Sequence, residues 1–329
     1  MNNEIILAGK LIKIIETSRN NALRKVNEEL IRMYWLVGEY LSEESQNAAF
    51  GDKYIDTIAK EIQDMFPGIK GFNRRGLYRM KQFYELYKGN LTVSPLVTQL
   101  SWTNHLVIMS GCKSDVEREF YIKLCIKEGY SKRELERQIN SGYYERYMLS
   151  KEKLLPEPIR ELHENPFLDS YVIEFLDLPK NFKESDLRKG LIQNMKDFIL
   201  EVGQDFTFIN DEYRVQVGGE DYRIDLLFFH RGLQCLVAFE LKLGKFKPEY
   251  ISKMDFYLEA LDRQKKKENE NPSVGMILCA TKDDEVVEYA MSRTMSPMMV
   301  AEYKLQLPDK AVLQKKLQEL VNMPLLEEF

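Results

Sequence analysis

Tyr222-Arg-Ile-Asp225-Leu-Leu-Phe-Phe-His230 is followed, after Arg231-Gly-Leu-Gln, by Cys235-Leu-Val-Ala-Phe-Glu240-Leu-Lys242-Leu243. Both runs are apolar, of strand length and bounded by turn-forming residues, so they predict two antiparallel β-strands joined by a short hairpin. Each run carries charge where a buried strand should carry none. An isolated Asp225 within Ile-Asp-Leu-Leu-Phe-Phe is costly unless something neutralises it. Glu240 and Lys242 stand two residues apart, so strand alternation projects them from one face. Across a short hairpin, Asp225 comes beside Glu240, and two carboxylates and an ammonium meet. A Glu-x-Lys pair alone is more often a solvated strand face. Here it interrupts the apolar run Leu233–Leu243, which favours a site.

The grouping implies a chemistry. Two nearby carboxylates raise each other's pKa unless a cation lies between them. Hard oxygen donors with room for water suit Mg²⁺ or Mn²⁺, which also bind phosphate oxygens. Lys242 at the edge would orient an attacking water and stabilise developing negative charge. The reaction class is phosphodiester hydrolysis, assisted by a divalent ion held on Asp225 and Glu240.

Outward from this hairpin the pattern stays mixed. A helix is predicted over Ser185–Val202 and a strand over Tyr213–Val217. After the hairpin come a helix over Glu249–Arg263, a strand over Val274–Ala280 and a helix over Glu285–Met291. A strand over Met298–Leu305 and a helix over Ala311–Val321 complete the pattern. That order describes a mixed sheet flanked by helices. Residues 1–150 instead read as helix after helix. Ile5–Leu41 is a long amphipathic stripe, Lys53–Met65 stops before Pro67-Gly68, and Asn73 is the N-cap expected for a helix reaching Tyr87. Ser114-x-x-Glu117 and Ser131-x-x-Glu134 have capping-box spacing. Pro156, Pro158 and Pro166 mark Lys151–Pro166 as the expected linker. The expectation is an α+β chain with a helical domain over 1–155 and a mixed α/β domain over 156–329.

At 329 residues the chain has the length of two domains, with 44% hydrophobic and 30% charged residues. That composition excludes a disordered or collagen-like chain, and no apolar run is long enough to span a bilayer. The start, Met1-Asn-Asn-Glu, lacks the basic flank and apolar stretch of a signal peptide. Cys112, Cys125, Cys235 and Cys279 stand singly, which argues for reduced thiols in a cytoplasmic protein. Net charge is −5, divided as +3 over residues 1–150 and −8 over the rest, which suits a polyanion-binding front and a carboxylate-rich back. His105, His163 and His230 are too dispersed for a zinc pattern, and Gly218-Gly219 is a turn with no phosphate-loop Lys-Ser/Thr after it.

Val217-Gly-Gly-Glu-Asp-Tyr-Arg-Ile-Asp-Leu-Leu-Phe-Phe-His, Glu240-Leu-Lys-Leu-Gly-Lys-Phe-Lys-Pro-Glu-Tyr and Met254-Asp-Phe-Tyr-Leu together resemble the YhcG-like branch of the PD-(D/E)XK nuclease superfamily. The front half is similar to that family's helical N-terminal domain through Tyr34-Trp-Leu-Val-Gly, Asn73-Arg-Arg-Gly-Leu-Tyr-Arg-Met-Lys-Gln-Phe-Tyr and Leu100-Ser-Trp. The resemblance implies a restriction-endonuclease-like fold in the second domain. It places Asp225 at the family's metal-binding aspartate and Glu240 with Lys242 at its E-x-K pair. By the same resemblance Glu201 fits an acidic position that supports the metal, and Tyr257 matches an aromatic of the following helix. Lys253 stands where the family often has glutamine, and Arg188 where a glutamate is expected.

The implied activity is Mg²⁺-dependent hydrolysis of nucleic acid, DNA in preference to RNA, in genome maintenance or defence against foreign DNA. Arg74, Arg75, Arg79 and Lys81, at the start of the Asn73–Tyr87 helix, are the expected nucleic-acid contacts, with Lys253 beside the catalytic group. The alternative is a weak or inactive DNA-binding or assembly module that keeps the nuclease fold, for which Arg188 and Lys253 speak. A third reading gives the long N-terminal helices to oligomerisation, a homodimer in particular.

Overall fold

The computed structural model describes residues 2–45, 53–151 and 167–321. Residues 152–166 of the expected linker Lys151–Pro166, with its three prolines and His163, and the expected boundary at 155/156 lie outside the described residues. The chain forms two compact units, Met1–Ile139 and Asn140–Phe329.

The first unit is helical throughout its described residues: α1 (Asn2–Glu44), α2 (Lys53–Met65), α3 (Arg74–Tyr87), a 3-10 turn (Val97–Gln99), α4 (Trp102–Gly111), α5 (Asp115–Glu128) and α6 (Lys132–Asn140). Its caps follow the sequence signals. Asn73 Oδ1 accepts from the Gly76 amide at 2.9 Å, and Ser131 and Glu134 satisfy each other's amides reciprocally. Ile31, Tyr34 and Leu41 of α1 are buried together with Leu77, Met80 and Phe83 of α3 in the core of this unit. Gly38 lets the two helices touch, because a Cβ there would lie 2.1 Å from the Met80 carbonyl oxygen. His105 is fully buried, with Nε2 2.7 Å from the Val97 carbonyl oxygen, and burial lowers its pKa to about 4. It is a neutral core residue.

The second unit contains α7 (Tyr143–Lys151), β1 (Ser170–Val172), α8 (Glu184–Gln193), α9 (Met195–Val202), β2 (Phe206–Val217), β3 (Glu220–His230) and β4 (Cys235–Lys245). It continues with α10 (Glu249–Gln264), β5 (Val274–Thr281), α11 (Asp284–Met291), β6 (Met298–Lys304) and α12 (Lys310–Val321). The six strands make one mixed sheet in the order β1-β6-β5-β4-β3-β2. β2, β3 and β4 form the expected antiparallel meander, while β4, β5, β6 and β1 run parallel. Phe198, Leu187 and Leu191 of α8 and α9 pack on one sheet face with Leu226, Phe228, Phe239 and Leu241. Ile251, Met254, Tyr257 and Leu258 of α10 cover the other with Leu236, Ala238 and Ile277. Burying both faces explains why β3 and β4 read as near-continuous apolar runs.

Three details differ from the sequence expectation. The predicted Ser185–Val202 helix is two helices that meet at Asn194, whose backbone leaves helical geometry (φ −111°, ψ 35°). The first strand of the meander begins at Phe206 rather than Tyr213; its added residues are mostly exposed on an edge strand, so hydrophobicity marks them poorly. β1 is only three residues long and carries no periodicity of its own. The cysteines are all buried and none is in a disulfide, and burial raises the Cys125, Cys235 and Cys279 thiols to about 11, 12 and 11. No helix of the described residues is long and apolar enough to cross a membrane.

Candidate active site

The hairpin register sets the site. β3 pairs with β4 through Leu226↔Phe239, and one step further along the same register Asp225 stands across from Glu240. The Leu241 amide donates to Asp225 Oδ2 at 2.8 Å, which seats the aspartate against the Glu240–Leu241 peptide. Glu240 is 2% exposed. Its Oε1 accepts from Lys242 Nζ at 2.8 Å and from Lys253 Nζ of α10, whereas its Oε2 is buried with no hydrogen-bond partner. Lys242 also reaches Glu184 at the start of α8, at 3.4 Å. The structure therefore brings Asp225, Glu240, Lys242 and Lys253 together.

Arg188 of α8 approaches Asp225 Oδ1 at 3.5 Å and Glu212 of β2 at 3.1 Å. Glu212 lies across from Asp225 in the β2–β3 register and has φ 42°. A non-glycine residue in that left-handed region costs on the order of 1 kcal/mol, and the strain sits beside the carboxylates. Tyr257 is buried; its hydroxyl donates to the Arg223 carbonyl at 2.7 Å, and Lys253 Nζ lies 5.3 Å from its ring centre. It thus backs the cluster and holds Lys253 in place. Composition alone singles out neither Glu184 nor Glu212. Each completes an ion pair between elements that are distant in sequence, and no local spacing announces such a pair.

Glu201, expected to support the metal, is engaged by an arginine. It is fully buried, 2.7 Å from Arg146 Nη1, and accepts the Val172 amide at 2.7 Å. That pair ties α9 to α7 and to β1, which is three strands away from β4 in the sheet order. His230 Nδ1 accepts the Leu233 amide at 3.0 Å and closes the β3–β4 turn. In the helical unit, Arg74 pairs with Asp56 at 3.3 Å and Lys81 with Glu85 at 3.7 Å. Arg75 and Arg79 of the same helix hold no ion pair among the described residues.

The electrostatics follow from this packing. Burial, then repulsion from Glu240, raises the pKa of Asp225. Burial works against the Lys242 ammonium, but its hydrogen bond and charge contact with Glu240 outweigh it and the pKa is raised; the same balance holds for Lys253. A carboxyl with a raised folded pKa contributes stability that is full below its unfolded pKa and is lost as pH rises through the folded value. Asp225→Asn is accordingly expected to stabilise the protein at pH 7. The gain should shrink to nothing below the ordinary aspartate pKa of about 3.9. Urea unfolding of both proteins across that range measures it, and a gain that persists unchanged in acid would contradict the assignment.

Among the described residues no group of three or more His, Cys, Asp or Glu side chains is arranged to hold a metal by itself. A different donor set does fit one. Two carboxylates, one with a buried oxygen lacking any partner and the other with a raised pKa, are what a hard divalent ion with several retained waters would satisfy.

The sequence comparison is decisive about ancestry. Over 91% of this chain and 90% of its own length, the Escherichia coli (strain K12) protein named "Putative nuclease YhcG" is 30% identical. Residues 164–318 match the YhcG PDDEXK nuclease domain model, and residues 10–146 match the DUF1016 N-terminal domain model. The chain belongs to the YhcG family of PDDEXK nucleases. The fold class agrees: a helical N-terminal region precedes a mixed α/β sheet domain, and the Asp225, Glu240-Leu-Lys242 hairpin lies inside the segment matched by the YhcG nuclease domain. Among solved structures, a repair endonuclease from Pyrococcus abyssi aligns over 40% of the chain at 17% identity and TM-score 0.26. An EndoMS–dsDNA complex aligns over 40% at 15% identity and TM-score 0.27. The aligned part spans about half of each of those chains (50% and 48%), too distant a likeness to bear on mechanism.

Proposed function

We propose that this YhcG-family protein is a divalent-metal-dependent nuclease that hydrolyses DNA phosphodiester bonds, with Asp225 and Glu240 holding the ion. The observation that carries the proposal is the buried, unpartnered Oε2 of Glu240 beside an aspartate of raised pKa. When bound, Mg²⁺ or Mn²⁺ supplies positive charge against phosphate oxygens and lowers the pKa of a coordinated water. Lys242 donates toward the attacking water and toward negative charge developing on the phosphate. Tyr257 and Lys253 position Glu240. The mixed-sheet unit, Asn140–Phe329, carries the hydrolytic site, and the helical unit, Met1–Ile139, binds DNA or a partner. In the latter, Arg75 and Arg79 are available to phosphates, with Arg74 and Lys81 alongside. The setting is cytoplasmic, in genome maintenance or defence.

A second reading has its own observations: Arg188 approaches Asp225, and two lysines share Glu240 Oε1. These cations neutralise the carboxylates internally, which describes a nuclease fold kept for binding alone. Supercoiled plasmid incubated with the full chain separates the two. The hydrolytic reading expects nicking with Mg²⁺ or Mn²⁺, none with chelator, and none by Asp225→Ala. Salt-sensitive DNA binding without cleavage under any divalent ion supports the binding module and sinks the catalytic claim.

A further inference from the structure

α1 is 43 residues long, about 65 Å at 1.5 Å per residue, yet its own unit uses only the C-terminal part. Every residue from Ala8 to Val26 is exposed. Beyond that point Ile31, Tyr34 and Leu41 face the core. The other side of the same turns is bare, because Met33, Leu36 and Tyr40 are exposed, as are Ile12, Ile15 and Val26 nearer the N-terminus. Exposed apolar surface of this extent marks an interaction face.

These six residues lie on one seam. Alternating steps of four and three from Ala8 to Tyr40 define ten positions that include all six, and the spacing is that of a coiled coil. Two alanines, Arg19 and Glu29 complete the set. The seam is self-complementary when a second copy runs in the opposite direction. Arg19 then falls opposite Glu29 of the second copy, Ile15 opposite Met33, and Ile12 opposite Leu36. Small residues meet larger ones, Ala22 against Val26 and Ala8 against Tyr40. Each layer pairs a first heptad position with a fourth, as antiparallel helices require. A parallel pair would instead stack Arg19 on Arg19 and Glu29 on Glu29, which repel. Within the chain Arg19 has no ion pair among the described residues, and Glu29 has only Arg32 at 4.0 Å.

We propose that α1 is a homodimerisation arm: two copies pair antiparallel along the Ala8–Tyr40 seam, and reciprocal Arg19–Glu29 contacts fix the register. The inference rests on α1 alone and does not depend on the nuclease reading.

Sedimentation equilibrium of the full chain at micromolar concentration tests it. The wild type should sediment at twice the 38.8 kDa chain mass. Arg19→Glu, which sets Glu against Glu29, and Glu29→Arg should each weaken association by about tenfold or more. The double exchange Arg19→Glu/Glu29→Arg should restore it. Both positions are exposed, so far-UV circular dichroism should show each variant folded. A monomeric wild type, single variants that associate like the wild type, or a double variant that fails to recover would each overturn the proposal.

Discussion

Glu240→Gln is expected to lower metal-dependent DNA cleavage by at least about 10³-fold while leaving the fold intact. The substitution keeps the side-chain shape and an oxygen able to accept from Lys242 and Lys253, so the packing between β4 and α10 survives. It removes the charge, and it replaces one of the two carboxylate oxygens, of which Oε2 has no partner within the protein. If the ion is held there, nothing else in the site substitutes: Asp225 is the one other carboxylate opposite it across the hairpin, and Glu184 and Glu212 are engaged by Lys242 and Arg188. Lys242→Met should cost about 10²–10³-fold for a different reason, the loss of a positioned donor. Initial rates on plasmid at saturating Mg²⁺, with circular dichroism to verify folding, measure both. A Glu240→Gln enzyme of near-normal rate would remove this carboxylate from the mechanism.

Arg146→Ala is expected to destabilise the second unit by about 3–5 kcal/mol, because it strands Glu201 as an uncompensated charge in a fully buried position. The guanidinium does more than pair. It donates to the Ser170 carbonyl at 2.8 Å and to Ser141 at 3.0 and 3.1 Å, so one side chain joins α7, β1 and α9. Glu201→Ala should cost a similar amount for the converse reason. Urea unfolding reports the loss, and the divalent-ion affinity of the remaining folded protein should be unchanged. Should Glu201→Ala instead weaken ion binding at wild-type stability, the expectation of a metal-supporting role would stand and its placement here would be wrong.

How far the sequence could be read depended on the kind of signal. Asp225, Glu240 and Lys242 were legible because they break apolar strand runs, and strand alternation turns a spacing into a geometry. Asn73 and Ser131 were legible because caps are local. The Arg146 partner of Glu201 was not legible, because an acidic residue near a strand looks the same whether it faces an ion or an arginine 55 positions away. The roles of Arg188, Glu184 and Glu212 escaped for the same reason, since each depends on a tertiary neighbour. The α1 stripe was legible as an amphipathic face, yet periodicity reports only that a face is apolar and not which chain covers it. Between Ala8 and Val26 the described structure leaves that face bare.

Isothermal titration with Mn²⁺, without DNA, addresses the shared ion without relying on activity. The wild type should bind Mn²⁺, and both Asp225→Ala and Glu240→Gln should lose that binding, since each removes half of one site. Equal affinity in all three proteins would contradict it.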